Sequence, residues 1–193
     1  KRDRVLPVFG RTLIPVKGVC IMEVLEALKG RQSVKSYLPT PVEEEKLQKV
    51  LEAGRLAPSS YNSQCRKFIV VTDPAVKKEI HDRAGTQPMI EQAPVVLVLC
   101  ATPDTEHEDA MPCGEVKHPI DMALSGAYMM LEAYDQGLGT CWLGAFNADA
   151  VKEVLHVPAD VKVVTMIPLG YHDGTQPRRD RKPVDEIVSY NAF

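Results

Sequence analysis

At 193 residues the chain fits one domain, and its 45% hydrophobic and 25% charged content suits a globular protein able to bury a core. A net charge of −3 disfavours a nucleic-acid coat or a membrane-surface protein, both of which use an excess of lysine and arginine. No apolar run approaches the ~20 residues of a membrane span. The five cysteines form no C-x-x-C pair, which favours reduced thiols in a cytoplasmic protein over a disulfide framework or a zinc site.

Residues 1–20 are basic, with neither a long apolar h-region nor a small-residue cleavage site. They read as an N-terminal extension, and residues 21–193 as the compact domain. Residues 21–29 place Ile21, Val24, Leu25 and Leu28 on one helical face, with Gly30 as the stop. The next helix is expected to start with Thr40 as cap, Pro41 in the first turn and Glu43 completing a capping box. Leu47, Val50, Leu51 and Gly54 share its inner face, and Pro58 ends it near Ala57 by disfavouring helical geometry in the residue before. "KFIVV" and "APVVLVLCA" read as buried strands, with a helix between them capped by Asp73 and opened by Pro74. Residues 102–118 read as a polar surface loop. A long buried helix is expected over about Pro119–Gln136, then a short helix over Asn147–His156 and a strand in "DVKVVTMIPLGY". The tail is basic, then briefly helical. No strand leads into G-x-G-x-x-G and no P-loop occurs, so neither dinucleotide fingerprint is supported.

Four segments carry candidate chemistry. "GRQSVKSY", Gly30 to Tyr37, offers Arg31 and Lys35 as charges and Gln32, Ser33 and Ser36 as hydrogen-bonding groups. That set suits an anion such as phosphate, and equally suits a solvated turn between helices. Pro58–Gln64 gathers Ser59, Ser60, Asn62 and Gln64 at a helix-to-strand junction, where such side chains also bond their own backbone. "GLGTCWLGAF" combines glycines that let backbone pass close to a flat or bulky group with Trp142, the single tryptophan, as an apolar wall. "RRDRKP" is a basic run that follows a core strand at once. The histidines show no metal-ligand spacing, no Ser or Cys sits in a nucleophile elbow, and Cys141 reads as core packing.

In this order the segments resemble the nitroreductase family of FMN-dependent oxidoreductases. The matching residues are Arg31-Gln32-Ser33-Val34-Lys35, then Pro41-Val42 with Glu45 and Leu47, then Ala57-Pro58-Ser59 with Asn62, Gln64 and Phe68. They continue in Gly137–Phe146 and close in Arg179, Arg181-Lys182-Pro183, Glu186, Ile187 and Val188. The resemblance implies an α+β, three-layer fold: a central, mostly antiparallel sheet flanked by helices, in an intertwined homodimer with FMN at the interface. It implies that Arg31, Ser33, Arg179 and Arg181 hold the phosphate and ribityl chain, with Gln32 lining the site. Lys35 would sit by the pyrimidine edge as an electrostatic tuner, with no dedicated catalytic residue. Pro58, Ser59, Ser60 and Asn62 would reach the flavin from the partner, and Leu143, Gly144 and Ala145 would offer backbone near its reactive edge. The implied activity is ping-pong transfer of electrons from NAD(P)H to nitroaromatic, quinone or similar small-molecule acceptors. A specialised flavin enzyme of the same fold and a non-catalytic flavin-binding protein are the alternatives. One departure stands out: Cys65-Arg66 occupies the place where the family often has Pro-Trp.

Overall fold

The computed structural model describes residues 24–104, 114–174 and 180–193. Among these, four antiparallel strands form one sheet: β1 (Arg66–Val71), β2 (Val95–Ala101), β3 (Gly139–Thr140) and β4 (Lys162–Gly170), in the order β1-β2-β4-β3. The helices are α1 (Val24–Gly30), α2 (Glu44–Leu56), α3 (Pro74–Ala84), α4 (Met89–Gln92), α5 (Gly114–Asp135) and α6 (Ala148–Leu155), with single 3₁₀ turns at Ser60–Asn62 and Val184–Glu186.

Strand alternation sorts the core into two layers. Leu97 and Leu99 of β2 join Leu47 and Val50 of α2 and Met122 and Met129 of α5 on one face. Val96, Val98 and Cys100 point to the other face, with Ile80 of α3 and Val151 of α6. Helices therefore cover both faces, which explains why every residue of β2 is buried and apolar. The expected α+β, three-layer architecture with an antiparallel sheet is the one observed.

Local signals hold where backbone chemistry decides them. Asp73 accepts the Ala75 N–H at 2.8 Å, Pro74 opens α3, and Gly85 closes it in the left-handed region. Asp73→Ala is expected to destabilise the protein by about 1 kcal/mol, measured as a shift in urea midpoint with unchanged slope. Asn147 caps α6 through the Asp149 and Ala150 N–H groups.

Four expectations are corrected. The Thr40–Glu43 capping box does not form: α2 starts at Glu44, with Glu43 as a cap lacking a side-chain bond. The Tyr171 hydroxyl instead donates to the Glu43 carboxylate at 2.7 and 2.9 Å, and accepts from Lys46 Nζ at 2.7 Å. Because the carboxylate serves this long-range contact, it does not fold back onto the helix end. α5 starts at Gly114, not Pro119, so Pro119 lies inside it and residues 114–118 are helix rather than loop; residues 105–113 lie outside the described residues. β1 is only partly buried, because it is an edge strand paired with β2 alone. On α1, Val24, Leu25 and Leu28 are exposed by 54–69%, and Ala27 is the residue that packs inward. The apolar face expected there points away from this chain's core. Ile120, Leu124 and Tyr128 do the same on α5, which α1 contacts. Among the described residues, no helix is long and apolar enough to cross a membrane.

Candidate functional site

The basic turn is fixed at both ends. At its start, the Arg31 N–H continues α1 by donating to Ala27 O at 2.9 Å. Gly30 packs so closely on the Tyr134 ring that a Cβ would strike it. At its end, Ser33 bridges Thr140 in parallel and the Val34 N–H donates to Thr140 O at 2.9 Å. Val34 is buried, so the alternation of an extended segment turns Ser33 and Lys35 outward together. Gly139 allows this docking: a Cβ there would lie 2.7 Å from Val34 Cγ2 and 2.6 Å from His172 Cδ2.

Cys141 senses these groups. Burial pushes its thiol up, while its polar neighbour Ser33 and the charges of Lys35 and Arg31 act in the opposite direction. The basic turn that carries Arg31, Ser33 and Lys35 therefore lies along β3, with Ser33 and Lys35 on its exposed side. Leu143 follows on the same segment, buried and bridged to Met166 through N–H···O bonds of 3.0 and 3.4 Å. Gly144 and Ala145 come next and are exposed, and a Cβ on Gly144 would meet only Trp142 Nε1, at 3.7 Å. Trp142 packs inward against Gly126 of α5 rather than standing as a free wall of the site. Cys141 is core packing, as expected.

The polar loop is a second, separate cluster. Ser60 donates its N–H to the Asp121 carboxylate at 3.1 and 3.2 Å and its hydroxyl at 3.3 Å. Ser59 Oγ accepts the Gln64 N–H at 3.1 Å, so part of the loop is turn chemistry as the simpler reading required. Pro58 and Asn62 are exposed, and Tyr61, Asn62 and Gln64 all take φ between 52° and 56°. Left-handed φ at three non-glycine residues in so short a span is costly and needs support from outside the loop.

One chain does not bring the two clusters together. The loop leads into Arg66 of β1, which pairs with Ala101 and, through β2, aligns with Lys162 at the start of β4. The basic turn docks on β3, at the far edge of the sheet and beside Leu169–Gly170 at the other end of β4. Strand spacing separates these corners by roughly 14 Å across the sheet and 25 Å along it. Of the basic tail, Arg179 lies outside the described residues. Arg181 Nη1 donates to Asp180 O, and residues 180–193 are exposed throughout.

Sequence reasoning missed Thr140, which docks the basic turn, and Asp121, which holds the loop. Asp121 did leave a signal, as an acidic residue on an otherwise apolar helical stretch; it is 3% exposed.

A family model described as the nitroreductase family matches residues 28–85 and 79–171. The chain belongs to the nitroreductase family. A relative named FMN reductase [NAD(P)H] from Bacillus subtilis is 31% identical over 188 residues, covering 89% of this chain and 74% of that one. Another, from Methanothermobacter thermautotrophicus and named putative NADH dehydrogenase/NAD(P)H nitroreductase, is 29% identical, with 86% of each chain covered. The crystal structure of a nitroreductase family protein from Clostridium difficile superposes with a TM-score of 0.78 at 29% identity, over 89% of this chain and 100% of the other. This nitroreductase-family chain thus shares its α+β fold with solved members of the family.

Proposed function

We propose that this nitroreductase-family chain is an FMN-dependent oxidoreductase. It takes electrons from NAD(P)H and passes them to nitroaromatic, quinone or similar acceptors, the two substrates using one open site in turn. The observation that carries the reading is the docking of the Arg31–Lys35 turn on Thr140 of β3, with Ser33 and Lys35 exposed and the β3 segment leading on to exposed Gly144 and Ala145. The donor set fits the cofactor: a guanidinium and a hydroxyl suit a phosphate monoester, and small residues admit a flat ring against backbone N–H groups. Bound FMN supplies the hydride and electron chemistry. The chain's residues bind and tune it. Arg31, Ser33, Arg179 and Arg181 hold phosphate and ribityl oxygens, with Gln32 beside them. Lys35 places a fixed positive charge where negative charge builds up on reduction. Leu143, Gly144 and Ala145 present main chain to the ring.

The diagonal separation of loop and basic turn favours a homodimer, in which a second copy carries Pro58, Ser59, Ser60 and Asn62 to the first copy's cofactor. The outward-facing apolar residues of α1 and α5, and Ile187 and Tyr190 of the exposed tail, give that partner apolar surface to cover.

Purified protein is expected to be yellow and to release FMN on denaturation. Anaerobic NAD(P)H should bleach its absorbance, and a quinone should restore it. Colourless protein that also fails to take up added FMN would overturn the proposal. Flavin that binds but resists both nicotinamides would leave a binding protein instead.

A further inference from the structure

Arg66 stands where the family motif often carries tryptophan, and its contacts differ from anything an indole can make. Its guanidinium donates to Gly54 O at 3.1 Å, Ala57 O at 2.9 Å and Ser125 Oγ at 3.0 Å. The first two are carbonyls at the C-terminal end of α2. Gly54 O would ordinarily accept from the N–H four residues on, but that residue is Pro58, which has none. Arg66 supplies the missing donor, and its fork reaches all three acceptors at once, whereas tryptophan has a single N–H.

The third contact leads to the loop. Ser125 lies one turn beyond Asp121 on α5, and Asp121 holds both the N–H and the hydroxyl of Ser60. Asp121 is a buried carboxylate, a costly group unless compensated. Its charge acts favourably on the Arg66 guanidinium, which is itself partly desolvated. Arg66 and Asp121 thus grip the helix-to-loop junction from two sides, Arg66 through Gly54, Ala57 and Ser125 and Asp121 through Ser60. Between them hangs a loop with three left-handed non-glycine residues, a costly shape that its own turn bonds support only in part.

We propose that Arg66 and Asp121 are paired positioning residues that hold the Ser59–Gln64 loop in its ligand-ready shape. Arg66 fixes the end of α2 from which the loop departs. Asp121 fixes Ser60 within it. The consequence for cofactor binding rests on the reading that this loop contacts FMN; the clamp itself does not.

The test uses the full-length protein and the variants Arg66→Gln, Arg66→Lys, Asp121→Asn and the double variant Arg66→Gln/Asp121→Asn. Two quantities are measured: the FMN dissociation constant, from recovery of flavin fluorescence, and hydrogen–deuterium exchange of peptides covering residues 58–65, β2 and β4. Each of Arg66→Gln and Asp121→Asn is expected to weaken FMN binding about tenfold, as for loss of a hydrogen bond to a charged group. Each should speed exchange at 58–65 while β2 and β4 stay protected. The double variant should lose no more than the worse single, because both residues act through one clamp. Arg66→Lys keeps the charge but not the fork, and should fall between wild type and Arg66→Gln.

Unchanged exchange at 58–65 in both single variants overturns the proposal. So do losses in affinity that multiply in the double variant, or exchange that rises as much in β2 and β4 as in the loop. Should the glutamine and asparagine variants not fold, Arg66→Lys decides alone, and loop exchange equal to wild type overturns the clamp. Wild-type protein that binds no FMN would sink the proposed function, while the exchange measurements would still decide the clamp.

Discussion

Leu97→Ala is expected to lower the unfolding free energy by about 3 kcal/mol, within the ~2–5 kcal/mol span for leucine truncation in a closed core. Leu97 is fully buried on the central strand, paired with Val70 on one side and Ile167 on the other. Leu47, Val50 and Met129 belong to the same cluster, so strands and helices enclose it and little can collapse into the gap. The thermal midpoint should fall by roughly 6–12 °C at fixed protein and flavin concentration. A loss below about 1 kcal/mol would show that this layer repacks and that the sheet is not the rigid support described above.

Arg31→Ala is expected to weaken FMN binding by about 1–3 kcal/mol, or roughly 5- to 150-fold. Arg181→Ala should give a loss of the same order. The sites differ in origin: Arg31 is positioned by the end of α1 and the Thr140 bridge, whereas Arg181 lies on the exposed tail. Arg31→Ala should therefore act as a local loss of a phosphate partner, with the fold's stability nearly unchanged. Equilibrium titration of flavin-free protein, followed by fluorescence, measures both. Unchanged affinity in both variants would place the phosphate elsewhere.

The legible parts of this protein are those set by short-range chemistry. Asp73-Pro74 announced a helix start, Pro58 announced a helix end, and the β-branched run at Val95–Ala101 announced a strand covered on both faces. The failures share a cause. Thr40–Glu43 has the spacing of a capping box, but Tyr171, far away in sequence, takes the Glu43 carboxylate. Pro119 looked like a helix start, yet the helix runs through it. Val24, Leu25 and Leu28 have core periodicity, but periodicity does not say which body an apolar face packs against.

The candidate site divides in the same way. Arg31, Ser33 and Lys35 were identifiable as a group because charged and hydrogen-bonding residues crowd one short turn; that Ser33 and Lys35 share one side of buried Val34 is a property of the folded segment. That the turn docks on β3 depends on Gly139 leaving room for Val34, which a linear reading could not place. The oddity of Cys65-Arg66 was visible at once; its meaning was not. Only the folded chain puts Arg66 beside the carbonyl that Pro58 leaves without a donor, and beside Ser125 and Asp121.

The sequence by itself determined the residue types able to hold a phosphate and a flat ring, through local chemistry, and the family and its α+β class, through a resemblance carried by motifs in a fixed order. Tertiary structure alone decided how the polar groups are shared out. It placed loop and basic turn at opposite corners of one sheet, and it set a buried carboxylate and an arginine to support the loop. The reason is physical: contacts such as Tyr171–Glu43 and Asp121–Ser60 join residues remote in sequence, and only strand order and helix packing determine which of them meet.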